Sequence, residues 1–167
     1  MDFRTERLTA ERLAADHLAD LAALHLDPEV SRFLGGVRSP AETEAYLDAN
    51  LAHWARHGHG LWVIRTPDGA FAGRAGLRYI DVEGVREMEI AYAFRRDLWG
   101  QGLATEVAQA LAAIWRGRRL SPSLIGIASP TNIGSRRVLE KVGFDQEREA
   151  AYRGAAVVLY RMVLDPP

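Results

Sequence analysis

The stretch Met88 to Ala104, MEIAYAFRRDLWGQGLA, constrains this 167-residue chain more than any other. It reads as a β-strand, a turn holding two glycines, and the start of a helix. Glycine lets the main chain approach a ligand closely. A helix N-terminus adds N–H groups without intrahelical partners and the positive end of its dipole. Trp99-Gly100-Gln101-Gly102-Leu103-Ala104 can therefore cradle an anion, phosphate above all. A P-loop would need a Gly-Lys-Ser/Thr ending, which this turn lacks. A dinucleotide fingerprint would need Gly or Ala at position 105 and an acidic residue about 20 residues on. Position 105 is Thr, and the next acidic residue after Glu106 is Glu140. Taken alone, the stretch is also compatible with an ordinary glycine turn ahead of a helix.

Periodicity places this turn within a mixed α/β chain. A first strand falls within Thr5 to Leu13, and Ala14 to Leu26 follows with helical spacing, stopped by Asp27-Pro28. Phe33-Leu34-Gly35-Gly36 is an apolar loop. Ser39-Pro40 gives an N-cap and a proline in the first turn of a second helix that ends at Gly58. Residues 61–65, 71–80 and 86–94 form an antiparallel meander with turns at Thr66–Gly69 and Asp81–Gly84. Helix 102–117, strand 123–128, helix 132–142 with Gly143 at its C′ position, and strands 144–147 and 156–163 around an Ala150–Gly154 turn complete the chain. The predicted order is β-α-α-β-β-β-α-β-α-β-β, one mixed sheet with helices on both faces, in a single domain spanning residues 1–167.

Composition excludes several chemistries. There is no cysteine, so there is no disulfide framework, thiolate zinc site or cysteine nucleophile. The N-terminus MDFRTERL shows no secretory leader, and no apolar run approaches the ~20 residues of a membrane span. A soluble cytoplasmic protein, monomer or homodimer, is expected. A net charge of −1 disfavours nucleic acid as partner. Eight basic residues against three acidic ones between Arg95 and Lys141 make that segment +5 and leave −6 elsewhere. This points to an anionic ligand in the segment and allows a cationic one elsewhere, unless the arginines are simply solvated.

On the strand before the turn, Met88, Ile90, Tyr92 and Phe94 alternate with Glu87, Glu89, Ala91 and Ala93. A strand covered on both faces should be apolar on both. Two carboxylates on one face thus indicate a wet cleft or a solvated strand end. His53, His57 and His59 resemble a metal cluster, but only Asp48 could complete a ligand set, so no metal is expected and contact with substrate stays open. The four tryptophans read as core or rim.

A second motif decides the reading. Glu89-Ile90-Ala91-Tyr92 and Leu98 to Glu106, with Asn132-Ile133-Gly134-Ser135-Arg136-Arg137-Val138-Leu139-Glu140-Lys141-Val142-Gly143-Phe144, resemble the GNAT N-acetyltransferase superfamily. The likeness is closest to its ribosomal-protein alanine N-acetyltransferase (RimJ/RimL-type) branch and small-molecule relatives. Thr5-Glu6-Arg7-Leu8 and Ala72 to Leu77 fit more loosely. The resemblance implies acetyl-CoA as co-substrate, with its pyrophosphate on the amides of Trp99, Gly100, Gln101, Gly102, Leu103 and Ala104. The pantetheine arm would pair with the strand near Ala91 and Tyr92 and with Asn132. The superfamily's Gln or Arg three residues before the second motif glycine is Trp99 here, so Arg95, Arg96 and Arg136 are the substitute cations for the phosphates.

Transfer to an amine needs a neutral amine, yet an α-amine has a pKa of about 8 and a lysine amine about 10.4. Glu89 is the candidate base and Glu87 the reserve, acting directly or through water. An amide near Ala91–Tyr92 would hold the oxyanion. Many members place a tyrosine acid on the later helix; none lies between Thr131 and Phe144. Ser135 is the candidate donor to sulfur, a role compatible with Asn132 and Ser135 capping that helix. The acceptor wall would come from the Phe33–Pro40 loop, the second helix and the Ala150–Gly154 turn. A non-catalytic acyl-CoA-binding module on the same fold is the rival reading.

Overall fold

The computed structural model describes residues 1–164. Eight strands form one sheet in the order β1-β2-β3-β4-β5-β6-β8-β7. The region read as one N-terminal strand is a hairpin, β1 (Phe3–Arg4) and β2 (Thr9–Arg12), closed by the Thr5 N–H donating to the Leu8 carbonyl. A single 3-10 turn, Ala15–His17, leads into α1 (Leu18–Leu26). Asp27 then caps a short extra helix, α2 (Pro28–Ser31), because its carboxylate accepts from the N–H groups of Glu29 and Val30.

Helix α3 (Pro40–His57) begins as its capping box requires. The Ser39 hydroxyl accepts from the Glu42 N–H, and the Glu42 carboxylate accepts from the Ser39 N–H. Left-handed Gly58 ends it. The meander β3 (Leu61–Arg65), β4 (Phe71–Val82), β5 (Val85–Phe94) follows as predicted. After it come α4 (Leu103–Arg118), β6 (Ser123–Ala128), α5 (Ile133–Val142), β7 (Asp145–Tyr152) and β8 (Ala155–Val163). Strand β7 runs longer than 144–147, and its reversal narrows to Arg153 and Gly154.

Side-chain alternation sorts the helices onto two faces. Arg74, Arg78, Glu89 and Ala93 share one face, since Arg78 pairs with Glu89 and Arg74 with Ala93. Leu24 of α1 and Val30 of α2 pack on Ala93, and Tyr46 of α3 lies over Arg74 and Arg78. Tyr92, Gly126, Tyr160 and Met162 lie on the opposite face, against α5 and α4: Arg136 bonds the Tyr160 hydroxyl, and Arg116 lies against the Met162 sulfur. The core includes fully buried Trp62, Trp115 and Tyr160. Among the described residues no helix is long and apolar enough to cross a membrane.

Strand β5 is paired with β4 along its whole length, but with β6 only at Glu89↔Ile125, in parallel. Beyond that pair the two strands part, and the edge of β5 from Ile90 to Phe94 has no strand partner on that side among the described residues.

At Gly76 the β3 backbone comes so near that a Cβ would sit 2.1 Å from the Gly60 carbonyl oxygen. Gly76→Ala should therefore destabilise the fold by about 1–3 kcal/mol, toward the upper end because main chain yields less than a side chain. Denaturant unfolding measures this, and a change below about 0.5 kcal/mol would contradict the close approach.

Candidate active site

The parted strands open into a cavity of about 400 Å³, a size suited to a small ligand. Its floor is the end of β5, from Tyr92 to Phe94. One wall is the glycine turn and the start of α4, the other is α5, and Val30, Phe33 and Leu34 close a third side.

The turn is built for an anion. Gly100 and Gly102 sit at φ +75° and +77°, where other residues are strained. Gly102 is the N-cap of α4 and has no side chain to satisfy the first amides, so those N–H groups point outward with the helix dipole behind them. The Trp99 indole N–H donates to the Phe94 carbonyl, 2.9 Å, and ties the turn to the strand. A second brace was not legible in the turn itself. Arg7 donates to the Gln101 carbonyl, 2.9 Å, and to Glu106, 2.7 Å, while the Arg7 N–H and the Thr5 hydroxyl also donate to Glu106. The loosely matching Thr5-Glu6-Arg7-Leu8 segment thus holds the cradle in shape, and those bonds keep the Glu106 carboxyl below the usual carboxylate range despite partial burial.

Of the sequence-predicted ligand residues, Tyr92, Trp99, Gly100 and Gly102 line the cavity, as do Leu103, Ala104 and Asn132. Gln101 and Ala91 do not; the Gln101 side chain turns back toward the Asp97 carbonyl. Arg136 does not line the cavity either. It donates to the Tyr160 hydroxyl, the Pro130 carbonyl and Gln146, on the far side of α5. The helical repeat puts residues 134, 137, 138 and 141 on one face, so Arg137 and Lys141 are the cations at the cavity. Arg95 is held by Asp97 and the Phe71 carbonyl, and Arg96 is exposed.

Ser135 also lines the cavity, and its hydroxyl lies 3.1 Å from the Tyr92 hydroxyl. Asn132 caps α5 by accepting from the Ser135 N–H, and its side-chain NH2 has no partner among the described residues. Burial pushes the Tyr92 pKa up, so its proton is retained. Tyr92 supplies a hydroxyl where the later helix has no tyrosine, a contact the alternation of β5 alone did not reveal.

Glu89 lies across the sheet from Tyr92. It is 5% exposed and accepts from Arg78 at 2.9 Å. Burial opposes the Arg78 charge, but attraction and hydrogen bonding to Glu89 outweigh it and raise the Arg78 pKa. Glu87 is bound instead by Arg161 at 2.8 and 3.1 Å, as part of a strut reaching Glu147 and Ser123. Arg38 of the loop and Arg78 of β4 flank Tyr46 of α3, and the charge of Arg153 in the β7–β8 reversal acts on Arg38.

The histidine rings do gather, with centroids 4.5 to 5.8 Å apart beside Tyr79. The nitrogens of His53 and His59 serve the backbone, and His57 Nε2 accepts from the Arg86 guanidinium at 3.2 Å. His53 bonds the His59 carbonyl through Nδ1 and accepts the Tyr79 N–H at Nε2, and His59 bonds the Leu77 carbonyl. Among the described residues no group of three or more histidine or carboxylate side chains is arranged to hold a metal.

The comparisons with known proteins agree with this architecture. The acetyltransferase (GNAT) domain family matches residues 7–145. The chain belongs to that family. It is 27% identical to the Bacillus subtilis protein YkkB over 135 residues, 80% of this chain and 78% of that one. An acetyltransferase of Agrobacterium tumefaciens superposes with a TM-score of 0.85 at 26% identity, covering 97% of this chain and 94% of that one. RimL, a ribosomal L7/L12 α-N-protein acetyltransferase solved in complex with coenzyme A, superposes at 0.80 with 21% identity over 96% of each chain. The protein is thus a GNAT acetyltransferase, and its elements from α3 onward follow the predicted order.

One buried histidine, His25, and one half-buried, His53, give the stability of this GNAT domain a pH dependence. Burial, with the charges of Arg74 and Arg38, lowers His25 to about 3, and burial lowers His53 to about 4. A histidine with a folded pKa below 6.5 is protonated first in the unfolded chain, so acid favours unfolding. Stability should fall as pH drops from about 6.5 toward 4, by at most about 1.4 kcal/mol per pH unit for each ring. Denaturant melts at pH 7, 6 and 5 test this; a flat profile would contradict the withdrawal of these rings from water.

Proposed function

We propose that the protein transfers the acetyl group of acetyl-CoA to a primary amine by direct attack on the thioester. The observation that carries this reading is the parting of β5 from β6 beyond Glu89↔Ile125. The cavity beside the parted strands holds the glycine turn and the Tyr92–Ser135 hydroxyls, and Glu89, which does not line it, sits on the opposite face of β5. Coenzyme A fits the cavity. The Gly100–Gly102 turn would hold the pyrophosphate, with Arg137 and Lys141 nearby and Asn132 offering its free NH2 to the pantetheine arm.

Each chemical requirement then has a residue. The unpaired edge of β5 near Ala91–Tyr92 supplies an amide for the oxyanion. Glu89 takes the ammonium proton, directly or through water. The thiolate leaves with a pKa of about 8.5 by analogy with cysteine and is met by the Ser135 hydroxyl, backed by Tyr92. Glu87, held by Arg161 as Glu89 is by Arg78, is the reserve base of this reading. A non-catalytic acyl-CoA-binding module remains the rival and is distinguished by binding without turnover on any amine.

Release of free thiol across an amine panel tests the proposal. Glu89→Gln should lower kcat/KM about 10²–10⁴-fold. Ser135→Ala with Tyr92→Phe should lower kcat, and the wild-type profile should show no fall from tyrosine ionisation below pH 10. Wild-type rates in both variants would overturn the assignments. Separately, Gly102→Val strains a residue at φ +77° and crowds the cradle, so KM for acetyl-CoA should rise at least about tenfold. An unchanged KM would place the pyrophosphate elsewhere.

A further inference from the structure

Three guanidinium groups converge on one aromatic ring beside the cavity. Those of Arg38, Arg74 and Arg78 lie 4.7, 5.1 and 5.9 Å from the Tyr46 ring centroid. Arg78 is paired with Glu89, and Arg38 donates to the Leu34 carbonyl. Arg74 is 3% exposed and donates no hydrogen bond to any described residue. Four buried polar atoms in this one place have no partner: Arg74 Nε, an Arg38 terminal nitrogen, the Tyr46 hydroxyl and His25 Nε2. His25 stacks edge-on against Tyr46, with centroids 4.9 Å apart, which makes the group contiguous.

A folded chain does not leave such groups unsatisfied without a reason, because each buried donor lacking a partner, and each buried charge lacking a counter-ion, is unfavourable. Here three cations face one contacting carboxylate, Glu89. Arg153 adds positive charge at Arg38, and Glu42, which attracts Arg38 from a distance, is exposed. The acidic surplus outside residues 95–141 therefore does not reach this pocket. Burial, aided by Arg78 and Arg38, presses the Arg74 pKa below its ordinary value, as expected of a cation awaiting an anion. The group also adjoins the cavity: Ala93, the strand partner of Arg74, and Leu34, the carbonyl partner of Arg38, both line it.

We infer that the acceptor pocket recognises a carboxylate carried by the amine substrate, with Arg74 as its main partner and Arg38, Arg78 and the Tyr46 hydroxyl around it. This rests on the amine acetylation proposed above and names its substrate class. A planar forked guanidinium matches a carboxylate in two parallel hydrogen bonds. A polyamine or other polycation would instead meet repulsion. A carboxylate that engages Arg78 also weakens the hold of Arg78 on Glu89 and frees the base as the acceptor arrives. The carboxylate could be that of a free amino acid or of an acidic residue near a peptide N-terminus.

Calorimetry on the full chain with matched acid and amide pairs decides between these sources and tests the inference. One arm compares alanine with alaninamide, the other Ala-Glu-Ala-amide with Ala-Gln-Ala-amide, each with coenzyme A present and absent. In at least one arm the acid should bind at least about tenfold tighter than its amide, and thiol release from acetyl-CoA should show the same order in kcat/KM. Arg74→Met should erase most of that preference, leave coenzyme A affinity unchanged and keep or raise Tm, since it removes an unpaired buried charge. Equal binding of acid and amide in both arms, or preference for the amide or for spermidine, overturns the inference. Acid preference in a protein that binds no coenzyme A upholds it and overturns the proposed function instead.

Discussion

The structure turns on two strands that meet at one residue pair and then separate. Glu89 and Ile125 pair in parallel, and past them β5 keeps β4 on one side and has no strand on the other. Backbone amides inside a protein are otherwise satisfied by a neighbouring strand. An exposed segment of strand edge in the middle of a sheet is therefore a place for a ligand. The α4–α5 face carries the amide cradle and two hydroxyls; the α1–α3 face carries a carboxylate among arginines.

Electrostatics differ on the two sides. At the cradle the positive potential comes from backbone amides and a helix dipole, with Arg137 and Lys141 at the cavity and Arg7 serving as a brace. Backbone donors need no counter-ion and leave room for a bulky diphosphate. Across the sheet the charge sits on guanidinium groups, and of the three around Tyr46 one, Arg78, meets a carboxylate among the described residues. Charge in low dielectric is expensive unless paired, so that side is the more demanding of its ligand.

Legibility followed locality. The Gly100–Gly102 turn, the Ser39 capping box and the Gly143 end of α5 are set by a few adjacent residues, and each was readable. Neighbouring arginines differ by one helical step, and the packing of α5 on Tyr160 decides that Arg137 and not Arg136 lines the cavity. The Arg7–Glu106 brace joins residues 99 positions apart, so the spacing within either segment gave no sign of it. The N-terminal hairpin and α2 are too short for periodicity to register.

The arginine group shows most clearly what folding adds. Arg38 lies in a loop, Tyr46 on a helix, Arg74 and Arg78 on a strand, and in the sequence they are unremarkable solvated-looking charges. By itself the sequence determined the α/β order, the amide-rich turn and the membership that two separated motifs imply, because turns, caps and alternation are properties of neighbours along the chain. The tertiary structure decided which cations face a ligand, that β5 and β6 part, and that Tyr92 reaches Ser135, because strand register and helix phase bring distant residues together only once the core has packed.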